Sequence, residues 1–156
     1  MSIIFDDIKV FCDFDGTITL QDVGNELFKE EKLTIYEYWH KLCSQLPKST
    51  SIEIIKKQSR NFEIDPYFKN FVEFCKKNNL QLFVVSDGFD VYINEILAMN
   101  GIKLPVCSNK LLDTKTHLEP EFTNASESCK CYSANCKRNF VLNKSDENTL
   151  KIYIGD

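Results

Sequence analysis

The chain has 156 residues, which is room for one domain of ordinary size. Its composition, 43% hydrophobic and 27% charged, is typical of a globular protein and excludes a disordered or collagen-like chain. No apolar run approaches the ~20 residues of a membrane span, and the amino terminus lacks a signal-peptide pattern. The net charge of −4 excludes a broad basic surface, so we expect no nucleic-acid or membrane partner.

The seven cysteines are an odd number, so at least one thiol is free. Because no secretory signal precedes them, the economical interpretation is a reducing compartment, and we expect a cytoplasmic protein. Three of them lie in strand or helix patterns and are expected to be buried thiols: Cys12, Cys43 and Cys75.

Short apolar runs alternate with helical patterns, which favours an α/β fold with a parallel sheet. The runs at residues 8–13, 80–86 and 150–154 predict buried strands. Each run stops at small or acidic residues. In open parallel sheets, ligands bind beyond the carboxyl ends of the strands, so we expect a site there.

Helical patterns fill the chain between the first two predicted strands. Helix-start signals occur at Thr34, Thr50 and Asp65. The last of these helices is the expected crossover to the second strand. Because the earlier helices are more than a crossover needs, residues 21–64 are expected to form a small helical cap, with residues 1–20 and 65–156 as the α/β core.

The chain after the second strand predicts another crossover helix at residues 89–100, which stops before Gly101. Residues 105–128 are polar and irregular, and a short hairpin is the most structure that we expect there. A further helical stretch begins at Lys137.

The segment Asp13-Phe14-Asp15-Gly16-Thr17 directly follows the first predicted strand. Two carboxylates ~4 Å apart repel by about 4 kcal/mol at an effective dielectric of 20, and an oxygen-seeking Mg²⁺ would offset that cost. Gly16 lets backbone N–H groups turn toward an anion, and Thr17 can donate a hydroxyl hydrogen bond. Taken alone, however, the segment is more typical of an Asx turn.

Ser86, Lys137 and Asp156 each have an ordinary interpretation on their own, as a turn serine, a surface lysine and a turn aspartate. Together they would bring a hydroxyl, an amine and a carboxylate to the same sheet edge as Asp13. The set is therefore more informative than any of its members.

With these segments the sequence resembles the haloacid dehalogenase superfamily of phosphotransferases. It carries that signature as DFDGT at 13–17, VVSDG at 84–88, the lysine Lys137, and YIGD at 153–156. The long helical insert resembles the subclass that contains phosphoserine phosphatase. The cysteines just before the lysine are similar to those of phosphatases acting on 2-hydroxy-3-keto-5-methylthiopentenyl-1-phosphate and of phosphoethanolamine/phosphocholine phosphatases.

The resemblance implies a Rossmann-like core and a Mg²⁺-dependent phosphatase that hydrolyses a small phosphorylated metabolite. Asp13 would be the nucleophile that forms an aspartyl-phosphate, and Asp15 would be the general acid and then the general base. Ser86 and Lys137 would bind the phosphoryl oxygens. The metal would be held by Asp13, the backbone carbonyl of Asp15, and Asp156.

Two neighbouring cations, Arg138 and Lys130, are the close rivals of the proposed lysine. Further substrate-binding candidates are Thr17, Asp87, Gly88, Asp22 and Glu26. The last two follow the first motif by about one and two helical turns, where acidic residues of this subclass can face the substrate. They fit equally well as acids that complement a helix dipole.

Four cysteines could supply thiolates to a structural zinc: Cys107, Cys129, Cys131 and Cys136. The CxC spacing is tighter than the usual zinc knuckle, and reduced thiols under a loop explain the cluster equally well. A cysteine-based metal or redox module is thus an accessory hypothesis.

The chain ends at Asp156, whereas the superfamily normally continues with glycine, a second acidic residue, another helix and another strand. On the resemblance, the carboxyl-terminal part of the core is expected to be missing, and we expect a fragment of a longer phosphatase. The alternative is a non-catalytic phosphate-binding or regulatory module on a truncated fold.

Overall fold

The structure is a computed structural model that describes residues 6–23, 35–126, 128–129 and 133–155. Five predictions lie outside the described residues: those at Glu26, Thr34, Lys130, Cys131 and Asp156. Within the described ranges, no helix has the length and apolarity needed to cross a lipid bilayer.

Strands and helices alternate along the described chain. In order they are β1 (Asp7–Cys12), α1 (Ile35–Gln45), α2 (Ile52–Ser59), α3 (Phe68–Lys77), β2 (Gln81–Phe89), α4 (Asp90–Met99), β3 (Val106–Asp113), β4 (Leu118–Glu121), α5 (Lys137–Asn143) and β5 (Thr149–Ile154). The predicted α/β class is confirmed.

The strands form one sheet in the order β4-β3-β2-β1-β5. β1 lies between β2 and β5 and is parallel to both, while β4 alone is antiparallel to its neighbour β3. The last residue of β1, Cys12, lies opposite Val84 and Ile154. The carboxyl ends of these strands therefore meet at one edge of the sheet.

Alternate residues of β1 face opposite sides of the sheet, as the pleat requires. Val10 and Cys12 belong to the larger core, which includes the buried residues of α3 and α4. Phe11 lies on the other side, where it stacks on Phe83 with ring centroids 5.3 Å apart. Phe140 of α5 packs edge-on against both rings, at 6.3 Å and 6.0 Å. This contact anchors α5 to the sheet.

The chain leaves the sheet after β1 and returns before α3 through a short antiparallel pairing of residues 18–19 with residues 64–65, which we call the neck. Thr19 forms a bridge with Ile64, and the N–H of Asp65 donates to the carbonyl of Ile18 at 2.7 Å. The two ends of the helical segment are therefore side by side.

The helices between the two halves of the neck pack on different parts of the core. Arg60, which caps α2, forms an ion pair with Glu95 of α4 at 2.7 Å. In α1, Tyr36 packs edge-on against Phe122 at 5.1 Å. Also in α1, Trp39 packs against Phe89, the last residue of β2, with ring centroids 4.5 Å apart.

Two helix starts differ from the sequence-based prediction. Ser51, rather than Thr50, caps α2, and its side chain accepts a first-turn N–H at 3.4 Å. The carboxylate of Asp65 accepts the N–H of Tyr67 at 2.8 Å, and α3 begins only at Phe68. Asp65 thus forms an Asx turn just before the helix, because its side chain accepts a backbone N–H and so favours a turn over a helical start.

The expectation of an irregular segment after residue 105 is wrong for β3, which is a full strand of the parallel sheet. Its buried positions include the polar Ser108 and Asn109. These residues hid the apolar pattern that identifies a buried strand. The predicted hairpin is confirmed, since β3 pairs with β4.

Candidate active site

Asp13 is the first residue after β1 and is 6% exposed. Its N–H donates to the carbonyl of Ile154 at 2.8 Å, which fixes it against the end of β5. Its Oδ1 accepts the N–H of Phe14 at 2.8 Å. Its Oδ2 accepts from Nζ of Lys137 at 2.5 Å and from the hydroxyl of Tyr153 at 3.3 Å. A buried carboxylate is thus paired with a cation at the sheet edge.

Lys137 reaches this carboxylate from the first residue of α5, 124 positions further along the chain. Burial lowers the pKa of Lys137, but the hydrogen bond and charge of Asp13 outweigh it and raise the pKa above its ordinary value. The lysine is therefore protonated at neutral pH. Of its two sequence rivals, Arg138 is exposed and Lys130 lies outside the described residues.

Asp15 lies in the turn after β1 and meets the end of β2. Its Oδ2 accepts two hydroxyl hydrogen bonds, from Ser86 at 3.1 Å and from Tyr92 at 3.1 Å. The Ser86 side chain is fully buried, and its Oγ also accepts the N–H of Gly88 at 2.9 Å. The structure therefore brings together Asp15 and Ser86, as the sequence predicts, and adds Tyr92.

The turn that carries Asp15 is held by Thr19, a residue that the sequence reasoning did not select. Gly16 has φ +69°, a conformation that favours glycine, and its N–H donates to Oγ1 of Thr19 at 3.3 Å. The same Oγ1 lies 3.1 Å from the carbonyl of Phe14 and 2.7 Å from that of Gln21. The predicted Thr17 is half-buried, and its N–H donates to the carbonyl of Phe14 at 3.2 Å.

A buried amide connects the ends of three elements beneath these groups. Asn135 has no exposed surface, and its Nδ2 donates to the carbonyls of Ser86 at 2.6 Å and of Cys107 at 2.9 Å. Its backbone N–H donates to Oδ1 of Asp87 at 2.6 Å. Asn109 donates to the carbonyl of Asp87 at 2.6 Å. This network fixes the loop before α5 against β2 and β3.

The predicted substrate contacts at Asp87 and Gly88 make their hydrogen bonds within the protein in this structure. Burial raises the pKa of Asp87, although hydrogen bonds from Asn135 and Asn109 act in the opposite direction. The backbone N–H of Gly88 donates a hydrogen bond to Oγ of Ser86. Both residues thus shape the end of β2.

Asp22 is exposed beside the same sheet edge. Burial, and then the charge of Asp22, raises the pKa of Tyr38 in α1. The charge of Asp22 also contributes to the raised pKa of Tyr92, after the larger effects of burial and Asp15. A carboxylate on the solvent side of the site is therefore near both tyrosines.

The zinc prediction is not supported. In the described part of the chain, no group of three or more His, Cys, Asp or Glu side chains is arranged to hold a metal ion. The thiol of Cys107 donates to Oδ1 of Asn135 at 3.3 Å, and burial raises its pKa, so it stays protonated. Cys136 caps α5, Cys129 is half-buried, and Cys131 lies outside the described residues. The alternative of reduced thiols under a loop fits better.

Comparison with known proteins gives relatives along almost the whole chain. A 2-hydroxy-3-keto-5-methylthiopentenyl-1-phosphate phosphatase of Bacillus cereus is 29% identical over 96% of this chain and 75% of its own length. The enzyme of the same name from Bacillus anthracis is 28% identical over the same shares. No family model matches the chain.

The fold is similar to two solved structures. One is a phosphoserine phosphatase with a phospho-aspartyl intermediate analogue, with a TM-score of 0.59 and 21% identity. The other is a HAD family hydrolase of Salmonella enterica serovar Typhi, with a TM-score of 0.67 and 17% identity. The alignments cover 74% and 92% of this chain. They cover 63% and 55% of those structures, so the chain spans less than two thirds of their length.

Motifs, fold and relatives agree, and the chain resembles the phosphatases of the haloacid dehalogenase superfamily. The sequence alone did not reveal three residues that contact its motif residues: Tyr92, Tyr153 and Asn135. Tyr92 lies in an apolar helix and has the pattern of an ordinary core residue. A signal was present for Tyr153, which belongs to the YIGD segment.

Proposed function

We propose that this protein is a Mg²⁺-dependent phosphatase that hydrolyses the phosphate monoester of a small metabolite through an aspartyl-phosphate. The observation that carries the proposal is the convergence of two pairs at one sheet edge. Asp13 meets Lys137 at 2.5 Å, and Asp15 meets Ser86 at 3.1 Å. Carboxylates, a hydroxyl and an ammonium in one place suit phosphoryl transfer.

In the first step Asp13 attacks phosphorus, and the bond from phosphorus to the leaving oxygen breaks. Its burial supports this role, because a carboxylate with little hydration has less water to lose before it attacks. The charge of Lys137 offsets the repulsion between the Asp13 carboxylate and a phosphate dianion. Lys137 and Ser86 then bind the phosphoryl oxygens, where charge spreads in the transition state.

Asp15 transfers the proton in both steps. As the first P–O bond breaks, the carboxyl group of Asp15 protonates the departing alkoxide. Asp15 then takes a proton from the water that attacks the aspartyl-phosphate, and Asp13 and inorganic phosphate are released. The protons balance over the two steps, because the carboxyl group of Asp15 is protonated again at the end of the cycle.

The donor set fits magnesium. The carboxylate of Asp13 and the backbone carbonyl of Asp15 are hard oxygen donors at one sheet edge, which Mg²⁺ prefers. Asp156, outside the described residues, is the proposed third ligand. Magnesium, when bound, would supply positive charge that polarises the phosphoryl group and lowers its repulsion from the nucleophile.

The helical segment at residues 21–64 is the proposed cap, and residues 1–20 and 65–156 are the proposed core. The neck supports this division, because an inserted segment must leave and re-enter the core at one place. Substrate selection would come from the cap side, with Asp22 and Glu26 facing an ester held by Thr17 and the loop at residues 87–88. The names of the relatives make 2-hydroxy-3-keto-5-methylthiopentenyl-1-phosphate the first natural substrate to test.

The test is phosphate release from p-nitrophenyl phosphate, with Mg²⁺ and with EDTA, on protein expressed from the complete gene. We expect turnover with Mg²⁺ only, and a loss on the order of 10³-fold or more for Asp13→Asn. Asp6→Asn is the matched control, since Asp6 is an exposed carboxylate before the opposite end of β1. Mass spectrometry of acid-quenched enzyme should find the phosphoryl group on the peptide that contains Asp13.

Two results would count against the proposal. Turnover retained by Asp13→Asn would exclude that residue as the nucleophile. Phosphate binding without turnover by the wild-type protein would favour the alternative of a non-catalytic phosphate-binding module.

A further inference from the structure

Tyr92 stands out among the residues around the site because it is fully buried yet directs a polar group at a proposed catalytic carboxylate. It lies in the first turn of α4, and its hydroxyl donates to Oδ2 of Asp15 at 3.1 Å. No sequence motif of the family signature contains it. Its ring packs near Phe14, with centroids 6.3 Å apart, so the hydroxyl has a fixed position.

The chain makes room for this hydroxyl at Gly88. A Cβ atom at that position would lie 1.6 Å from the Tyr92 hydroxyl oxygen and 3.0 Å from Oδ2 of Asp15. Side chains other than glycine therefore cannot coexist with the contact. The end of β2 and the start of α4 are shaped together to admit one hydrogen bond.

Tyr92 is a lasting donor, whereas Ser86 is not. The Tyr92 side chain is fully buried and is not among the groups proposed to bind the ester, so its hydroxyl keeps its bond to Asp15 while the ester is bound. Ser86 has a single hydroxyl proton. When Ser86 donates that proton to a phosphoryl oxygen, as its proposed role requires, it gives up its bond to Asp15.

We propose that Tyr92 is a positioning residue that holds the carboxyl group of Asp15 through Oδ2 while that group transfers the proton. The inference rests on the proposed function. In the first step the O–H bond of the Asp15 carboxyl group breaks as the proton passes to the leaving oxygen. In the second step the Asp15 carboxylate takes the proton of the attacking water. Tyr92 keeps its own proton throughout.

The test compares Tyr92→Phe with the wild-type enzyme on phenyl phosphate and p-nitrophenyl phosphate. The two esters have similar size, but phenolate is the more basic leaving group and needs protonation more. We expect kcat on phenyl phosphate to fall about 10–100-fold, part of the ~10²–10⁴-fold that general acid catalysis supplies. The kcat on p-nitrophenyl phosphate and both KM values should change by less than about 3-fold.

Three variants make the result decisive. Gly88→Ala leaves the tyrosine in place but displaces its hydroxyl, so it should give the same dependence on the leaving group. In an Asp15→Asn background, Tyr92→Phe should have no further effect on that dependence. Tyr36→Phe is the control, since it also loses one hydroxyl hydrogen bond of 3.1 Å, to the carbonyl of Ser133.

An equal loss on both esters, or a change in KM alone, would assign Tyr92 a merely structural role and overturn the inference. That result leaves the proposed phosphatase intact. If the wild-type enzyme turned over neither ester, both the proposed phosphatase function and the proposed role of Tyr92 would be overturned.

Discussion

The backbone N–H of Asn135 donates to the carboxylate of Asp87 at 2.6 Å, which ties the loop before α5 to the end of β2. The side chain of Asn135 adds bonds to the carbonyls of Ser86 and Cys107. Because Lys137 follows Asn135 by two residues, the same amide sets the distance between the lysine and the serine. The two proposed phosphate-binding groups are positioned by one buried residue.

Replacing this amide should weaken both the fold and the site. Asn135→Ala leaves two buried carbonyls without their donor, so we expect unfolding to become easier by about 2–4 kcal/mol. The value of kcat should fall at temperatures where the variant is still folded, because Lys137 loses its support. Urea unfolding and initial rates measure the two effects. Asn143→Ala, at the exposed end of α5, should change stability by less than about 0.5 kcal/mol.

The identity of the phosphate-binding cation can be decided between two adjacent residues. Lys137→Ala removes the partner of Asp13, so we expect kcat to fall on the order of 10²–10³-fold. Arg138→Ala, one position later on an exposed side chain, should leave kcat nearly unchanged. The measurement is p-nitrophenyl phosphate hydrolysis by both variants. A larger loss in the arginine variant would reverse the assignment.

The buried thiols should be unreactive in the native protein. Burial, with a smaller effect of the charge of Asp13, raises the pKa of Cys12 to about 12. Burial, with a smaller effect of Glu119, raises the pKa of Cys43 to about 12 as well. Iodoacetamide at pH 8 should therefore label the peptide of the half-buried Cys129 and not those of these two. Peptide mass spectrometry with and without denaturant is the measurement. Labelling of Cys12 in the folded protein would contradict the expectation.

The same shifts predict a loss of stability in alkali. A thiol whose pKa is raised on folding contributes its full stabilisation below its unfolded pKa, near 9.0. That contribution is lost as the pH rises from about 9 toward 12, because the unfolded chain gives up the proton first. The raised pKa of Lys137 acts in the same direction at pH values above the ordinary lysine pKa of 10.5. Urea midpoints should fall across this range, and less steeply in Cys43→Ala.

Alanine substitutions at two glycines distinguish the effect of steric crowding on stability from the effect of backbone conformation. Gly88→Ala places a methyl group against the buried Tyr92, so we expect a loss of about 1–3 kcal/mol in stability together with a lower kcat on phenyl phosphate. Gly101 has φ +69° but open space around it. Gly101→Ala should cost about 1–2 kcal/mol from the backbone alone and leave kcat unchanged. Urea unfolding and initial rates of both variants give the comparison.

The sequence was sufficient for the parts of the molecule that local patterns encode. The apolar runs at β1, β2 and β5 predicted three parallel strands, and the DFDGT segment predicted where the carboxylates lie. The expectation that the run at residues 150–154 is buried was wrong, since β5 lies at the edge of the described sheet and is largely exposed. β3 escaped prediction because its residues Ser108 and Asn109 are polar yet buried, and the partner of Asn109, Asp87, lies 22 positions away in the chain. Tyr92 escaped for the same reason, since its polar role depends on Asp15, which is 77 positions away. Side chains whose function comes from long-range contacts have no local signature.

The neck has a consequence for how this protein can be altered. The chain leaves the core and returns to it through adjacent backbone, with Thr19 beside Ile64. The segment between these two residues is therefore joined to the core at one place in the backbone. A donor stretch of different length could be grafted there, provided its ends preserve the bond between Asp65 and Ile18. If the proposed cap selects the substrate, exchange at this junction would change selectivity and leave the proposed chemistry at the strand ends unchanged.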